Sequence, residues 1–235
     1  MQTLFKTILF GLAAILVPAF MAGDLALSAA QMPQASGQPV RILAFGDSLT
    51  QGYGVPPGTD FPARLEKALN ARGLNVTVIN AGVSGETSAG GLARADWLLG
   101  DGKSGADAVI LELGANDGLR GLPVAEMDKN LDAILSKLKA RNIAVLFAGM
   151  KAPRNFGARY AAEYDEVFPK LAAKYEALFY PFFLEGVALD QALVQPDGLH
   201  PNPKGVDVIV KGIEPLAERL VQQAKARRAG APAQK

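Results

Sequence analysis

Four short, nearly continuous apolar runs, at residues 40–45, 76–79, 108–113 and 143–148, recur along the chain with longer helical patterns between them. A half-exposed strand alternates apolar and polar residues, whereas a strand apolar at successive positions has both faces covered. Strand, helix, strand, helix in that order leaves few arrangements: a parallel sheet with crossover helices packed on both faces. A weaker fifth run lies at 178–183. The predicted fold class is therefore α/β, a three-layer α/β/α sandwich around a five-stranded parallel sheet, flavodoxin-like in type.

The segments between the runs carry helix signals. The stretch 61–72 has Thr59 or Asp60 as N-cap, Pro62 in its first turn and Gly73 just past its end. Over 123–141, Met127, Leu131, Ile134, Leu135 and Leu138 fall three and four apart, the spacing of one buried helical face. Helices are also expected at 87–99, 158–175 and 203–221, with Pro169 marking a kink or break. Trp97 is expected in the core.

The ends read differently. Lys6, an uncharged stretch over 7–22 and the small residues Ser28, Ala29 and Ala30 have the layout of a secretory signal peptide over 1–30. Cleavage after Ala30 fits, and Ala22 and Gly23 offer an earlier bond. An uncleaved anchor fits less well: a spanning helix needs roughly 20 apolar residues, and this run is shorter and interrupted by Pro18. Residues 31–39 read as a linker and 225–235 as a flexible, basic, solvated tail, which leaves one domain over 40–224. The expected location is exported, periplasmic or secreted.

Composition restricts the chemistry. The chain has no cysteine, which excludes disulfides, thiolate metal sites, a cysteine nucleophile and a lipid-modified N-terminal cysteine. It has one histidine, His200, so a His-rich metal site is excluded too. The 24 Lys+Arg and 23 Asp+Glu are spread along the chain, without the concentrated positive face that nucleic acid requires. Any imidazole in a mechanism must be His200.

In sheets of this type the chemistry lies beyond the carboxyl ends of the strands. After the first run comes Gly46-Asp47-Ser48-Leu49, which delivers a serine hydroxyl as nucleophile or, equally, as part of a helix cap. The pattern G-x-S-x-G is absent, which disfavours an α/β-hydrolase. After the second run, Ser84-Gly85-Glu86-Thr87 opens a helix with backbone N–H groups suited to a developing negative charge, or forms an ordinary turn. After the third, Gly114-Ala115-Asn116-Asp117-Gly118 places Asn116 as a side-chain donor or a turn residue. Late in the chain Asp197 stands three residues before His200. A carboxylate there can hold Nδ1–H and support an imidazolium, and the alternative is a structural histidine in a capping loop.

Other features carry less. Gly102-Lys103-Ser104 looks like the end of a phosphate-binding loop, but Trp97 stands where its first glycine belongs. Glu163 and Glu166 read as a solvated helical face rather than a metal site. Asp47 and Asp117 can tune the neighbouring site or hold its loops.

Taken in order, Ser48 in Gly-Asp-Ser-Leu, Gly85 in Ser-Gly-Glu-Thr, Asn116 in Gly-Ala-Asn-Asp and His200 in Asp-Gly-Leu-His-Pro resemble the four blocks of the GDSL, or SGNH, hydrolase family. The phrases AGVSGETSAGGLAR, ELGANDGLRG and DGLHPN look like the branch of thioesterase I, lysophospholipase L1 and the bacterial arylesterases. The resemblance runs from about residue 40 to 220. Residues 150–160 fall where the family has a substrate-lining loop, without a block that matches.

The resemblance implies an SGNH-type sandwich and a serine esterase for acyl or aryl esters, thioesters or lysophospholipids. Ser48 is then the nucleophile, His200 the base and Asp197 its support. The oxyanion hole consists of the backbone N–H groups of Ser48 and Gly85 and the Asn116 side chain. The expected partner is a small ester, with no cofactor, no metal, no nucleic acid and, after loss of the leader, no membrane anchor. A monomer is expected. A carbohydrate O-acetylesterase is the alternative within the family. Outside it stand a non-catalytic lipid- or carbohydrate-binding relative and a flavin-binding module, the latter disfavoured by the anionic Asp47 where a phosphate would sit.

Overall fold

The computed structural model describes residues 37–100 and 105–230. The expected signal peptide over 1–30, most of the linker, Gly102-Lys103-Ser104 and residues 231–235 lie outside the described residues.

Five strands form one parallel sheet: β1 (Val40–Gly46), β2 (Val76–Gly82), β3 (Ala108–Glu112), β4 (Ala144–Ala148) and β5 (Leu178–Tyr180), in the order β2-β1-β3-β4-β5. Gly46 is in register with Gly82 on one side and Glu112 on the other, so three strands end flush and their loops start at one level. From β1 the chain winds to β2 on one side and then crosses to β3 on the other. This reversal opens a crevice above β1 and β3, the place where α/β sheets hold ligands.

The helices are α1 (Ser48–Gln51), α2 (Phe61–Ala71), α3 (Ser88–Leu99), α4 (Ala115–Leu119), α5 (Val124–Ala140), α6 (Ala158–Tyr175) and α7 (Pro203–Gly230). Helices α2 and α7 pack together as one layer, and α5 packs between α3 and α6 in the other. On α2 the Asp60 carboxylate caps the first turn by accepting from Ala63 N–H at 3.1 Å. The same helix buries Phe61, Leu65 and Leu69, four apart on one face, each contributing roughly 1.5–3 kcal/mol by leaving water. Strands β3 and β4 are buried throughout, as their apolar runs predict.

Several expectations change. Strand β5 ends at Tyr180 rather than 183, because Pro181 has no N–H for the ladder. Helix α6 runs through Pro169 without a break, with the proline on its exposed face. Trp97 is not in the core: it is 81% exposed. The buried face of α3 is Ser88, Gly91, Ala95 and Leu99, and a residue two past Ala95 points the other way. The segment expected as a tail from residue 225 is helical to Gly230, since Ala217, Leu220, Val221 and Ala224 keep the buried face going. Near its end Arg228 donates to Asp107 and to the carbonyls of Gln38 and Pro39, at 3.0 Å for each carbonyl. The last residues of the expected linker are thereby held against the domain. Glu163 and Glu166 are exposed, and Glu163 pairs with Arg159 at 2.8 Å. Among the described residues no helix is long and apolar enough to cross a membrane.

Candidate active site

Strand β1 ends at Gly46 and α1 begins at Ser48, so the serine sits on a turn only one residue long. Asp47 caps that turn by accepting from Leu49 N–H at 2.9 Å. No side chain fits at position 46: a Cβ there would lie 2.1 Å from Thr50 Oγ1 and 2.6 Å from Glu112 Oε2. The glycine of Gly-Asp-Ser-Leu is thus required by what packs beneath it.

His200 arrives from the loop before α7. Its Nε2 lies 2.9 Å from Ser48 Oγ and its Nδ1 lies 2.6 Å from Asp197 Oδ2. Partial burial opposes charge on Asp197, but bonds from the N–H groups of His200 and Leu199 and from the imidazole hold it down at about 2. A carboxylate charged at neutral pH only accepts, so Nδ1 carries the proton and Nε2 is left to accept from the serine. The loop is fixed from several sides. Gln195 donates its backbone N–H to His200 O at 2.7 Å, and its side-chain amide donates to Tyr53 O at 2.7 Å and Pro201 O at 2.9 Å. The Tyr53 ring lies 4.6 Å from the imidazole, tilted by 41°. Asn202 caps α7, accepting from Lys204 and Gly205 N–H.

Asn116 stands in the first turn of α4, after β3. Its amide donates to Asp47 Oδ2 at 2.9 Å and Glu86 O at 3.0 Å, which joins the loops after β1, β2 and β3. Both of its N–H groups are therefore engaged. Gly85 lies on the turn after β2 with φ +76°, and its carbonyl accepts from Arg120 at 2.7 Å. Asp117 accepts from Ser88 N–H and Ser88 Oγ and ties α4 to the start of α3.

Two carboxyls lie buried behind the serine, Asp47 and Glu112. Burial pushes both upward, and the nearby Asp47 pushes Glu112 further. Hydrogen bonds from Leu49 and Asn116, with the field of His200, favour the charged form of Asp47. Glu112 accepts from Thr50 Oγ1 at 2.8 Å through Oε2, and its buried Oε1 has no partner among the described residues. Both shifts favour the protonated form, and Glu112, fully buried and facing the Asp47 charge, is pushed the further. Sequence reasoning passed over Glu112, although a charge closing an otherwise apolar strand is an anomaly visible in the sequence.

Ser48, Asn116 and His200 line one cavity of about 540 Å³, within the roughly 300–1,000 Å³ typical of small-molecule sites. Its walls are mostly apolar, among them Leu49, Met150, Ala152, Pro153, Phe182 and Leu184. Met150, Ala152 and Pro153 come from the loop that matched no block. Gly85 does not line it, and Asp197 stands behind the imidazole. At the mouth Leu189 is 92% exposed in a left-handed backbone conformation. Among the described residues no group of three His, Asp or Glu side chains is placed to hold a metal ion.

Residues 44–208 match the model of the GDSL-like lipase/acylhydrolase family. The chain belongs to that family. It is 39% identical over 188 residues to the arylesterase of Vibrio mimicus, covering 80% of this chain and 92% of that protein. It is 37% identical over 179 residues to the thioesterase 1/protease 1/lysophospholipase L1 of Escherichia coli strain K12, covering 74% and 84%. Among solved structures, AlinE4, an SGNH-hydrolase family esterase, is 46% identical with a TM-score of 0.67, covering 78% of this chain and 97% of AlinE4. As a GDSL-like acylhydrolase with these relatives, the protein is a carboxylic ester hydrolase of the esterase and thioesterase type.

Proposed function

We propose that the protein is an exported serine esterase that cleaves acyl or aryl esters through an acyl-enzyme on Ser48. The observation that carries this reading is the chain Ser48 Oγ, His200 Nε2, His200 Nδ1, Asp197 Oδ2, with contacts of 2.9 and 2.6 Å, opening on an apolar cavity.

Ser48 Oγ attacks the acyl carbonyl as His200 Nε2 takes its proton, and the charged Asp197 supports the imidazolium. The imidazolium returns the proton to the departing alcohol or thiol. Water then attacks the acyl-enzyme with His200 again as base. The oxyanion is held by the backbone N–H groups of Ser48 and Gly85, joined by the Asn116 amide once it releases Asp47 Oδ2 or Glu86 O.

The apolar wall from Met150 to Pro153 with Phe182 and Leu184 favours acyl chains longer than acetyl, and by the same chemistry acyl thioesters and lysophospholipids. A series of p-nitrophenyl esters from acetate to dodecanoate tests the substrate. The expected kcat/KM rises beyond the acetate. A maximum at the acetate, with deacetylation of acetylated sugars, would replace this reading by a carbohydrate O-acetylesterase. The leader pattern over 1–30 supports export, and detection of a mature N-terminus near residue 31 in the periplasm or medium checks it.

A further inference from the structure

Helix α3 carries two consecutive glycines, Gly90 and Gly91, each about 1 kcal/mol worse than alanine inside a helix. Packing explains Gly91. A Cβ there would lie 2.3 Å from Leu113 Cδ1 and 3.5 Å from the Phe45 ring, so the helix rests directly on the ends of β1 and β3. One turn later the same face delivers Arg94, whose guanidinium carbon sits 4.6 Å above the Phe45 ring.

From that position one side chain reaches two loops, the one after β1 and the one after β2. Arg94 Nη2 donates to Gly46 O at 3.2 Å and Ala81 O at 2.8 Å, and Nε donates to the two Glu86 carboxylate oxygens at 2.7 and 2.9 Å. Nη2 also pairs with Glu86. Gly46 leads into the Ser48 turn, Ala81 leads into the turn that holds Gly85, and Glu86 follows Gly85. The Glu86 carbonyl in turn accepts from Asn116. The two side chains are only 18% and 6% exposed. A charge this far from water is tolerated when it is paired and hydrogen-bonded, and here the Glu86 carboxylate and the carbonyls of Gly46 and Ala81 accept from Nε and Nη2.

We propose that Arg94 is the positioning residue of the oxyanion hole: it fixes the main chain beside Ser48, the turn of Gly85 and, through Glu86, the Asn116 amide. This role rests on the oxyanion reading given above. Arg94 does not line the cavity and touches no substrate. A lysine keeps the charge but presents its donors from one point, so it cannot span both carbonyls and the carboxylate.

The test uses the full chain, with p-nitrophenyl butyrate as substrate and benzeneboronic acid as a probe that forms a tetrahedral adduct on a serine. Arg94→Lys and Arg94→Met are expected to lower kcat by about tenfold to a hundredfold, the scale of a small misplacement of catalytic groups. KM stays within about twofold. Boronate affinity falls by the same factor as kcat, because the tetrahedral species alone depends on the hole. The acid limb of the rate profile keeps its midpoint, since His200 and Asp197 are untouched. A merely structural pin would move these readouts without that pattern. Should the Arg94 variants fail to fold, Glu86→Gln, which keeps the shape and removes the charge, is expected to show the same split at smaller size. The proposal is overturned if the folded variants keep kcat within about twofold, if KM alone changes, or if boronate affinity holds while kcat falls. Asn116→Ala and Ser48→Ala, measured alongside, separate the two levels. If both keep their kcat, the oxyanion and nucleophile reading fails. If both lose it while Arg94 and Glu86 variants do not, only the positioning role fails.

Discussion

His200 Nε2 lies 2.9 Å from Ser48 Oγ across 152 residues of sequence, and the contact is built from both sides of the crevice. The serine is fixed by a turn clamped to β1, the histidine by Gln195, which bridges to Tyr53 on the serine's side. The proposed mechanism needs this pair held before substrate arrives, because proximity set in advance lowers the barrier.

Asn116 begins with both N–H groups engaged, by Asp47 and by Glu86 O. Its contribution is the difference between the bond it gives up and the one it gains. Asn116→Ala is therefore expected to lower kcat by about tenfold to a hundredfold, at or below the lower edge of the 10² to 10³ range for a free oxyanion donor. Steady-state kinetics on p-nitrophenyl butyrate check it, and a change confined to KM would remove Asn116 from the oxyanion hole.

Glu112 predicts how stability varies with pH. Its folded pKa is raised above the usual 4.5 by burial and by Asp47. The folded state therefore binds a proton that the unfolded state has lost, and stability falls as pH rises above about 4.5, at about 1.4 kcal/mol per pH unit until the folded group titrates. Glu112→Gln removes this dependence. Its melting temperature relative to wild type is expected to climb as pH rises above about 4.5, and a difference that stays constant as pH rises would mean that the Glu112 pKa is not raised in the folded state.

Asp197 carries the opposite sign. Its folded pKa, about 2, lies below the ordinary 3.8, so its contribution is present above pH 4 and is lost as pH falls toward 2. The destabilisation caused by Asp197→Asn is expected to be largest near neutral pH and to vanish near pH 2. Chemical denaturation at several pH values measures it, and an equal effect at pH 2 and pH 6 would contradict the charged assignment.

Leu184 tests the cavity wall. A tryptophan there fills space that a longer acyl chain needs. Leu184→Trp is expected to lower kcat/KM for the dodecanoate ester about tenfold or more while sparing the acetate, and equal losses on both would place the acyl chain elsewhere.

The strands, the helices and the serine, asparagine and histidine loops were legible because each announces itself locally, as an apolar run, a cap or a short motif. Trp97 was misplaced because one large aromatic suggests burial, whereas helical phase relative to Ala95 decides it. The helix past residue 225 was missed because its small and basic residues look like a tail, while Arg228 finds its partners more than a hundred residues away at Asp107 and Pro39. Arg94 and Gln195 stayed silent for the same reason. Gln195 donates its side-chain amide to backbone carbonyls, and Arg94 divides its bonds between two carbonyls and Glu86; carbonyls exist at every position and leave no mark in the sequence. Glu112 alone left a trace, a charge at the end of a buried strand.

The central claim is that Ser48 and His200 act as one unit, and with one histidine in the chain no second imidazole can substitute. The decisive measurement is kcat for Ser48→Ala, His200→Ala and the double variant on p-nitrophenyl butyrate. The account predicts losses of about 10⁴-fold or more in each single variant and no further multiplication in the double, as for groups that act together. A His200→Ala enzyme that keeps most of its kcat, or losses that multiply in the double variant, would contradict it.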